Sequence, residues 1–333
     1  MLRKRTFGRL FLLFVVVLTL TQVLFLHHLN RLFNNQEAKT NQEIQQILNP
    51  TISLSSRERQ ILTGLKQQYQ GVTVSPDGQY ATYVDTASDG TDVVHVESLD
   101  TGKQVSEATD LYPVQYLDWL GDEEVFVGEE KAPGELELNA FYVSNGQQAD
   151  LTASSVPEFS ELSSDAEITK VTYSNQTNDV FVLVESGGGS ALYHIGTMED
   201  VQSVPFSGGY VKNIALSQTG DNLYVEDNQD GTWDVVRLQQ TSATSSYSPD
   251  YDVNEQVVQT NAALINVVGN VLYFGKVNQN GLVTAVYKEG TKGSTTLVKR
   301  LSSPTVASKI NVSGDGQITV NPLAVSSTAV QET

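Results

Sequence analysis

The 333 residues contain no cysteine, and 39 acidic side chains against 20 basic ones set a formal net charge of −19. Absence of cysteine excludes disulfide stapling, thiolate ligation and a cysteine nucleophile, and the acidic balance repels nucleic acid and anionic lipid at long range. The charge is uneven: Arg3, Lys4, Arg5 and Arg9 form a basic head with no acidic residue before Glu37, leaving 16 basic residues against all 39 acidic ones. Solvation of an exposed acidic surface is the simplest reading of that balance, and recognition of a basic partner the alternative.

Residues 7–29 read FGRLFLLFVVVLTLTQVLFLHHL, with an apolar core of 17 residues from Leu10 to Leu26. That length is near the lower limit for a spanning helix. A cleaved secretory signal is the competing reading, but Leu24-Phe-Leu-His-His28 has no small-x-small site. The expectation is an uncleaved signal anchor at 10–29, with residues 1–9 in the cytoplasm and the rest outside. Residues 30–70 read as a partly helical stalk. Two capping-box signatures occur there, Thr40-x-x-Glu43 ahead of Ile44, Ile47 and Leu48, and Ser55-x-x-Glu58 ahead of Ile61, Leu62 and Leu65. Self-association through this stalk is a further expectation.

From Gly71 the apolar period changes to two. Tyr83-Val-Asp-Thr-Ala-Ser-Asp-Gly-Thr-Asp-Val-Val-His-Val96 returns as Tyr224-Val-Glu-Asp-Asn-Gln-Asp-Gly-Thr-Trp-Asp-Val-Val-Arg-Leu238, and more loosely from Tyr273 to Tyr287. Each is an aromatic, β-branched run, an Asp/Asn-Gly turn and a second alternating run, the pattern of a β-hairpin. Ser75-Pro-Asp-Gly78 recurs as Ser217-Gln-Thr-Gly220 and Ser313-Gly-Asp-Gly316. Six such openings place first strands near residues 72, 115, 169, 212, 263 and 308, a spacing close to a four-stranded propeller blade. The predicted fold class is all-β, a β-propeller over 71–321 with six blades, or five and a flap, followed by a flexible tail at 322–333. Since little chain follows the sixth opening, Thr51 to Leu54 are the candidate segment to complete that blade from the other end.

Ser75-Pro-Asp-Gly78, Tyr80-Ala-Thr-Tyr-Val84 and Ser88-Asp-Gly90 together resemble the TolB-like and WD40-like β-propeller repeats, and the non-catalytic propellers of prolyl-oligopeptidase relatives. The resemblance spans about 72–320 and is strongest in the first and fourth repeats. It implies a scaffold that presents loops and a central channel to protein or polymer partners. No Gly-x-Ser-x-Gly nucleophile elbow is present, so the hydrolase part of that resemblance is not carried over.

Chemistry-bearing residues are sparse in pattern. Of four histidines, His27 and His28 adjoin the apolar run, while His95 and His194 fall in separate strands without zinc-ligand spacing. Asp85, Asp89 and Asp92, and Asp227, Asp230 and Asp234, are oxygen-rich; structural calcium is one reading and turn formation the simpler one. No cofactor is expected beyond that. Asp122-Glu-Glu124, Glu129-Glu130, Glu135 and Glu137 supply carboxylates, read first as solvated strand edges and second as a glycosidase pair. Ser186-Gly-Gly-Gly-Ser190 lacks the lysine of a phosphate loop. Asn175-Gln-Thr and Asn311-Val-Ser are glycosylation sequons in a host that glycosylates. Tyr112, Tyr116, Trp119, Tyr210 and Trp233 form the candidate recognition surface, because aromatic side chains bury much area at low ordering cost.

The expected function is noncatalytic binding or assembly at the outside of a bacterial cell envelope, with an envelope protein or cell-wall polymer as partner, the membrane engaged through residues 10–29, and no nucleic acid. The alternatives are an extracellular carbohydrate-active enzyme with convergent carboxylates, and a membrane-anchored sensor domain.

Overall fold

A computed structural model of the chain describes residues 54–69, 71–153, 159, 161–196, 201–240, 253–290 and 293–320. Two compact units divide after Ile47; the first lies wholly outside the described residues, and all that follows concerns the second. The basic head, the expected anchor at 10–29, the earlier part of the stalk and the tail at 322–333 also lie outside. Among the described residues no helix is long and apolar enough to cross a membrane.

Among the described residues the fold is all-β apart from one helix and short 3-10 turns. Helix α1 (Ser56–Gln68) precedes five four-stranded sheets. They comprise β1–β4 (Thr73–Val74, Tyr80–Thr86, Asp92–Ser98, Lys103–Leu111), β5–β8 (Val114–Trp119, Glu124–Ala132, Glu135–Tyr142, Gln148–Asp150) and β9–β12 (Glu167–Tyr173, Val180–Ser186, Gly189–Ile195, Val201–Ser203). There follow β13–β16 (Tyr210–Leu216, Leu223–Gln229, Thr232–Gln240, Val253–Thr260), β17–β20 (Ala262–Val268, Val271–Val277, Val283–Glu289, Thr295–Thr305) and a two-stranded sheet, β21–β22 (Ile310–Val312, Ile318–Val320). Every sheet is antiparallel with strands in chain order, and each first strand adjoins the first strand of the next sheet. The observed first strands begin within about two residues of the positions read from the repeat.

The recurrent serine turn explains that agreement. Ser75 and Ser217 are fully buried, and their Oγ atoms accept the N–H of Tyr80 (2.9 Å) and Asn222 (3.0 Å) across the turn. Ser313 does the same for Gln317 at 3.0 Å. Gly78, Gly220 and Gly316 close these turns at φ 76°, 74° and 78°, in the left-handed region that favours glycine.

Packing is strictly sequential. Val94, Val96 and Leu111 of the first sheet meet Trp119, Val125, Val127 and Phe141 of the second. The other face of the second sheet, with Phe126 and Leu138, meets Ile168, Val182 and Val184 of the third. Phe181 and Leu183 then meet Ile214, Val225 and Leu238 of the fourth. Tyr224 and Val235 meet Leu264 and Phe274 of the fifth, and Tyr273 and Val286 meet Ile310, Val312 and Ile318 of the two-stranded sheet. The second to fifth sheets are thus covered on both faces, which a single sheet cannot achieve alone.

Sheet one is covered on its remaining side by α1. Ser55 and Glu58 form the reciprocal capping box: Ser55 N–H donates to Glu58 Oε2 at 2.5 Å and Glu58 N–H to Ser55 Oγ at 3.3 Å. Ile61, Leu62 and Leu65 pack on Ala81, Tyr83 and Leu99, and Tyr69 stacks on Tyr83 with centroids 4.1 Å apart. The apolar face that a free stalk would offer to a partner is therefore occupied by the first sheet. Leu54, the one described member of the expected Thr51–Leu54 strand, is not in a strand and joins this same cluster.

Truncating Leu65 should test that attachment. Leu65→Ala is expected to lower the unfolding free energy in urea by about 2–5 kcal/mol and to speed amide exchange in β2 and β3; a helix independent of the sheet would leave both unchanged.

Candidate functional site

Within each sheet the start of the first strand and the hairpin between the second and third lie at one end. Tyr112, Tyr210 and Trp233 are at this hairpin end. Tyr112 is 49% exposed and its backbone N–H donates to Glu129 Oε2 at 2.9 Å. Tyr210 and Trp233 meet edge to face with centroids 6.2 Å apart. The Lys212 ammonium lies 5.2 Å from the Trp233 centroid and 3.4 Å from Glu226 Oε1, a cation held between a ring face and a carboxylate. Burial, then a hydrogen bond and the charge of Glu185, push the Tyr210 hydroxyl up to about 12.

The other two expected surface aromatics are core residues. Trp119 is 7% exposed between the first and second sheets, in a stacked arrangement with Tyr80 at 6.3 Å. Tyr116 is 8% exposed between the second and third. Its hydroxyl accepts the Val171 N–H and donates to Asp118 Oδ2, both at 3.2 Å; burial, above all, raises its pKa well above the ordinary value. Both rings point between sheets because the alternation of β5 aims them there, and neither belongs to a recognition surface.

The carboxylates at the hairpin end are chiefly committed to backbone donors. Asp92 Oδ2 accepts the Val114 N–H (2.8 Å), Asp234 Oδ1 the Asn261 N–H (3.0 Å) and Glu226 Oε2 the Leu264 N–H (2.9 Å). Ser190 Oγ accepts the Val211 N–H at 2.7 Å. In all four cases the acceptor lies in one sheet and the donor at or just before the first strand of the next. Asp227 Oδ1 accepts the Gly209 N–H at 2.9 Å, and a Cβ on Gly209 would collide with the Asn228 carbonyl oxygen, so that approach requires glycine.

The aspartate triplets thus divide between turns and lashes between sheets. Asp89 accepts from Thr91 N–H and hydroxyl at 3.1 and 2.7 Å, which holds its carboxyl below the usual range, and Asp230 takes the hairpin's positive φ of 53°. Among the described residues no group of three or more His, Asp or Glu is placed to hold a metal ion. His95 and His194 lie in different sheets: His95 Nδ1 is 3.1 Å from Gln104 Oε1, and His194 Nε2 is 2.7 Å from Asp179 Oδ1.

One carboxylate pair converges. Asn139 Nδ2 donates to Glu129 Oε1 (2.8 Å) and to Glu137 Oε1 (2.7 Å), and Lys131 pairs with Glu137. Glu129 is 2% exposed, and burial raises its pKa despite the hydrogen bonds from Asn139 and Tyr112. Sequence alternation marked Glu135 and Glu137 as a wet strand face; it gave no sign that Asn139 would gather Glu129 and Glu137. A surface hollow along α1 is lined by Ser56, Arg59, Gln60, Thr63, Gly64 and Gln67.

No protein-family pattern and no curated protein matches the chain. Solved structures do resemble it. A puromycin-hydrolyzing peptidase from Mycobacterium tuberculosis is 13% identical, with a TM-score of 0.51 over 75% of this chain and 41% of that one. TolB from Acinetobacter baumannii is 13% identical, with a TM-score of 0.41 over 69% of this chain and 54% of that one. The Dos1 propeller is 13% identical, with a TM-score of 0.46 over 76% and 74%. At these identities the likeness concerns fold alone. The order of the sheets and their sequential cores accord with the blades of a β-propeller.

Glu226 provides a pH test of the lashes. Burial raises its carboxyl above the ordinary range, outweighing Lys212 and the Leu264 N–H. The folded state therefore holds this proton more tightly than the unfolded one, a contribution present below the ordinary value of 4.5 and lost as pH rises through the raised one. Glu226→Gln retains an acceptor but not the titration. Its stability relative to the parent is expected to improve as pH rises from about 4.5 upward, read by urea unfolding at successive pH values; a pH-independent difference counts against this account.

Proposed function

We propose that the chain is a noncatalytic binding or assembly scaffold at the outer side of a bacterial cell envelope, held by a single N-terminal anchor at residues 10–29. In this reading the propeller has six blades, the last contributing β21 and β22. The observation that carries the proposal is the division of labour at the hairpin end. Asp92, Glu226, Asp227 and Asp234 accept backbone N–H groups, while Tyr112, Tyr210 and Trp233 supply aromatic area beside them. Carboxylates engaged in holding sheets together are poorly placed for proton transfer, whereas the exposed ring of Tyr112 and the half-buried rings of Tyr210 and Trp233 suit contact with a protein or polymer.

A photo-crosslinking amino acid in place of Tyr112 or Trp233, used in intact cells, tests this reading. The expected product is the same envelope component from both positions and none from Gln148, an exposed position in β8. Equal capture from all three positions would sink the assignment of the surface.

A second reading has one observation in its favour, the Glu129–Asn139–Glu137 arrangement with its two unlike carboxyl environments. Under it, Glu129→Gln and Glu137→Gln would each abolish release of reducing ends from purified wall glycan. The scaffold reading expects no release from the parent protein at all.

A further inference from the structure

We infer that the central hairpin of the second sheet joins its own strands covalently, through an amide between the side chains of Lys131 in β6 and Glu137 in β7. This chemistry belongs to the chain itself and stands independently of the scaffold reading. Four side chains gathered by the fold carry it. Lys131 Nζ meets Glu137 Oε2 directly. The other oxygen of that carboxylate, Oε1, accepts a hydrogen bond of 2.7 Å from Asn139 Nδ2. The same nitrogen donates to Glu129 Oε1 at 2.8 Å, and Glu129 stands directly across the strand pair from Glu137.

The backbone fixes this group in place. Lys131 occupies the β-bulge between Glu130 and Ala132, a distortion that re-aims the side chain it carries. Pro133 and Gly134 make the turn between the strands. From outside, the Leu136 N–H donates to the Phe159 carbonyl (2.8 Å) and the Leu162 N–H to the Gly134 carbonyl (3.1 Å). Phe159 is itself buried, so the hairpin is pinned to the core and its two reacting groups are kept in contact. Fixed proximity of this kind corresponds to effective concentrations of about 10⁵–10⁸ M, which opposes the excess of bulk water that disfavours condensation.

The step balances within these residues. The Lys131 amine attacks Glu137 Cδ and forms the Nζ–Cδ bond. Negative charge developing on Oε1 meets the Asn139 N–H already placed there. Lys131 gives up two protons, and both end on Oε2, one across the direct contact and one carried by Glu129. The Cδ–Oε2 bond breaks, water leaves, and nothing is oxidised or reduced. Glu129 suits the carrier's part because it is buried and its pKa is held above the ordinary carboxylate value by that burial. The product also fits the site better than the reactants. Glu137 is 12% exposed and Lys131 34%, and ionised partners so placed bear a desolvation cost that a neutral amide escapes. The amide ties β6 to β7 beside Tyr112, whose N–H is bound by Glu129, and so stiffens this part of the hairpin end.

Peptide mapping of the full-length protein tests the inference. Between Lys103 and Lys170 the only basic residue is Lys131, and a protease specific for lysine and arginine does not cut after an acylated lysine. The parent should release residues 104–170 as one peptide, lighter than its sequence by one water. Lys131→Arg keeps the charge without the nucleophile and should restore both the cut and the full mass. In freshly synthesised protein followed over time, Glu129→Gln should slow the loss of the cut at least about 100-fold while leaving the far-UV circular dichroism unchanged.

The parent digest decides the main point without reference to the folding of any variant. A parent cut normally after Lys131, with both fragments at full mass, would overturn the amide. A water loss that persists in Lys131→Arg would overturn it too, by placing the loss at another side chain. Equal rates with and without the Glu129 carboxyl would overturn that residue's part as proton carrier.

Discussion

Everything in the described fold depends on covering both faces of narrow antiparallel sheets. A four-stranded sheet with apolar residues on both faces cannot be stable by itself, and the chain solves this by making every core a shared one. Phe126 and Val127 are neighbours in β6, yet they belong to cores on opposite sides of the second sheet. Phe181 and Val182 divide in the same way in the third. Fully burying one such side chain is worth about 1.5–3 kcal/mol, so each strand stabilises two interfaces at once. Helix α1 belongs to the same scheme, because it supplies the first sheet with the apolar cover that a preceding sheet supplies elsewhere.

Apolar cores alone leave the angle and register between sheets poorly defined, since burial is non-directional. The lashes add direction. A carboxylate or hydroxyl near the hairpin of one sheet accepts the N–H of the strand opening the next, from Asp92 to Val114, Ser190 to Val211, and Asp234 to Asn261. Tyr116 performs a related task toward Val171 from within a core. These bonds satisfy backbone donors that would otherwise sit unpaired near the start of each inner strand. They also account for much acidic character at an end of the domain where cross-strand carboxylates such as Asp227 and Asp234 stand opposite each other.

The repeat made most of the strand layout legible because its cause is local. Ser75 and Gly78, or Ser217 and Gly220, build their turns from their own neighbours, so their spacing survives in the sequence as a readable mark. The capping box at Ser55 and Glu58 was legible for the same reason. The covering of Ile61, Leu62 and Leu65 by the first sheet was not: a helical stripe shows that a face will be buried without showing against what. Trp119 and Tyr116 illustrate the corresponding limit in strands. Their aromatic area suggested a recognition surface, whereas the direction of the pleat placed both between sheets. The candidate site was partly legible, in Tyr112, Tyr210 and Trp233. The gathering of Glu129 and Glu137 around Asn139 depends on register across β6 and β7, which composition does not encode.

Sequential cores also determine how disturbance spreads. When each sheet exchanges contacts only with its neighbours, free energy is passed along the run step by step, much as in a one-dimensional array. Among the described residues α1 packs on the first sheet and β21–β22 on the fifth, so these two members stand at the ends of the run. Loosening of either boundary erodes the array from its end and leaves the interior sheets standing. Disturbance entering through α1 would therefore reach the first sheet before any other, so that this helix yields ahead of the middle sheets.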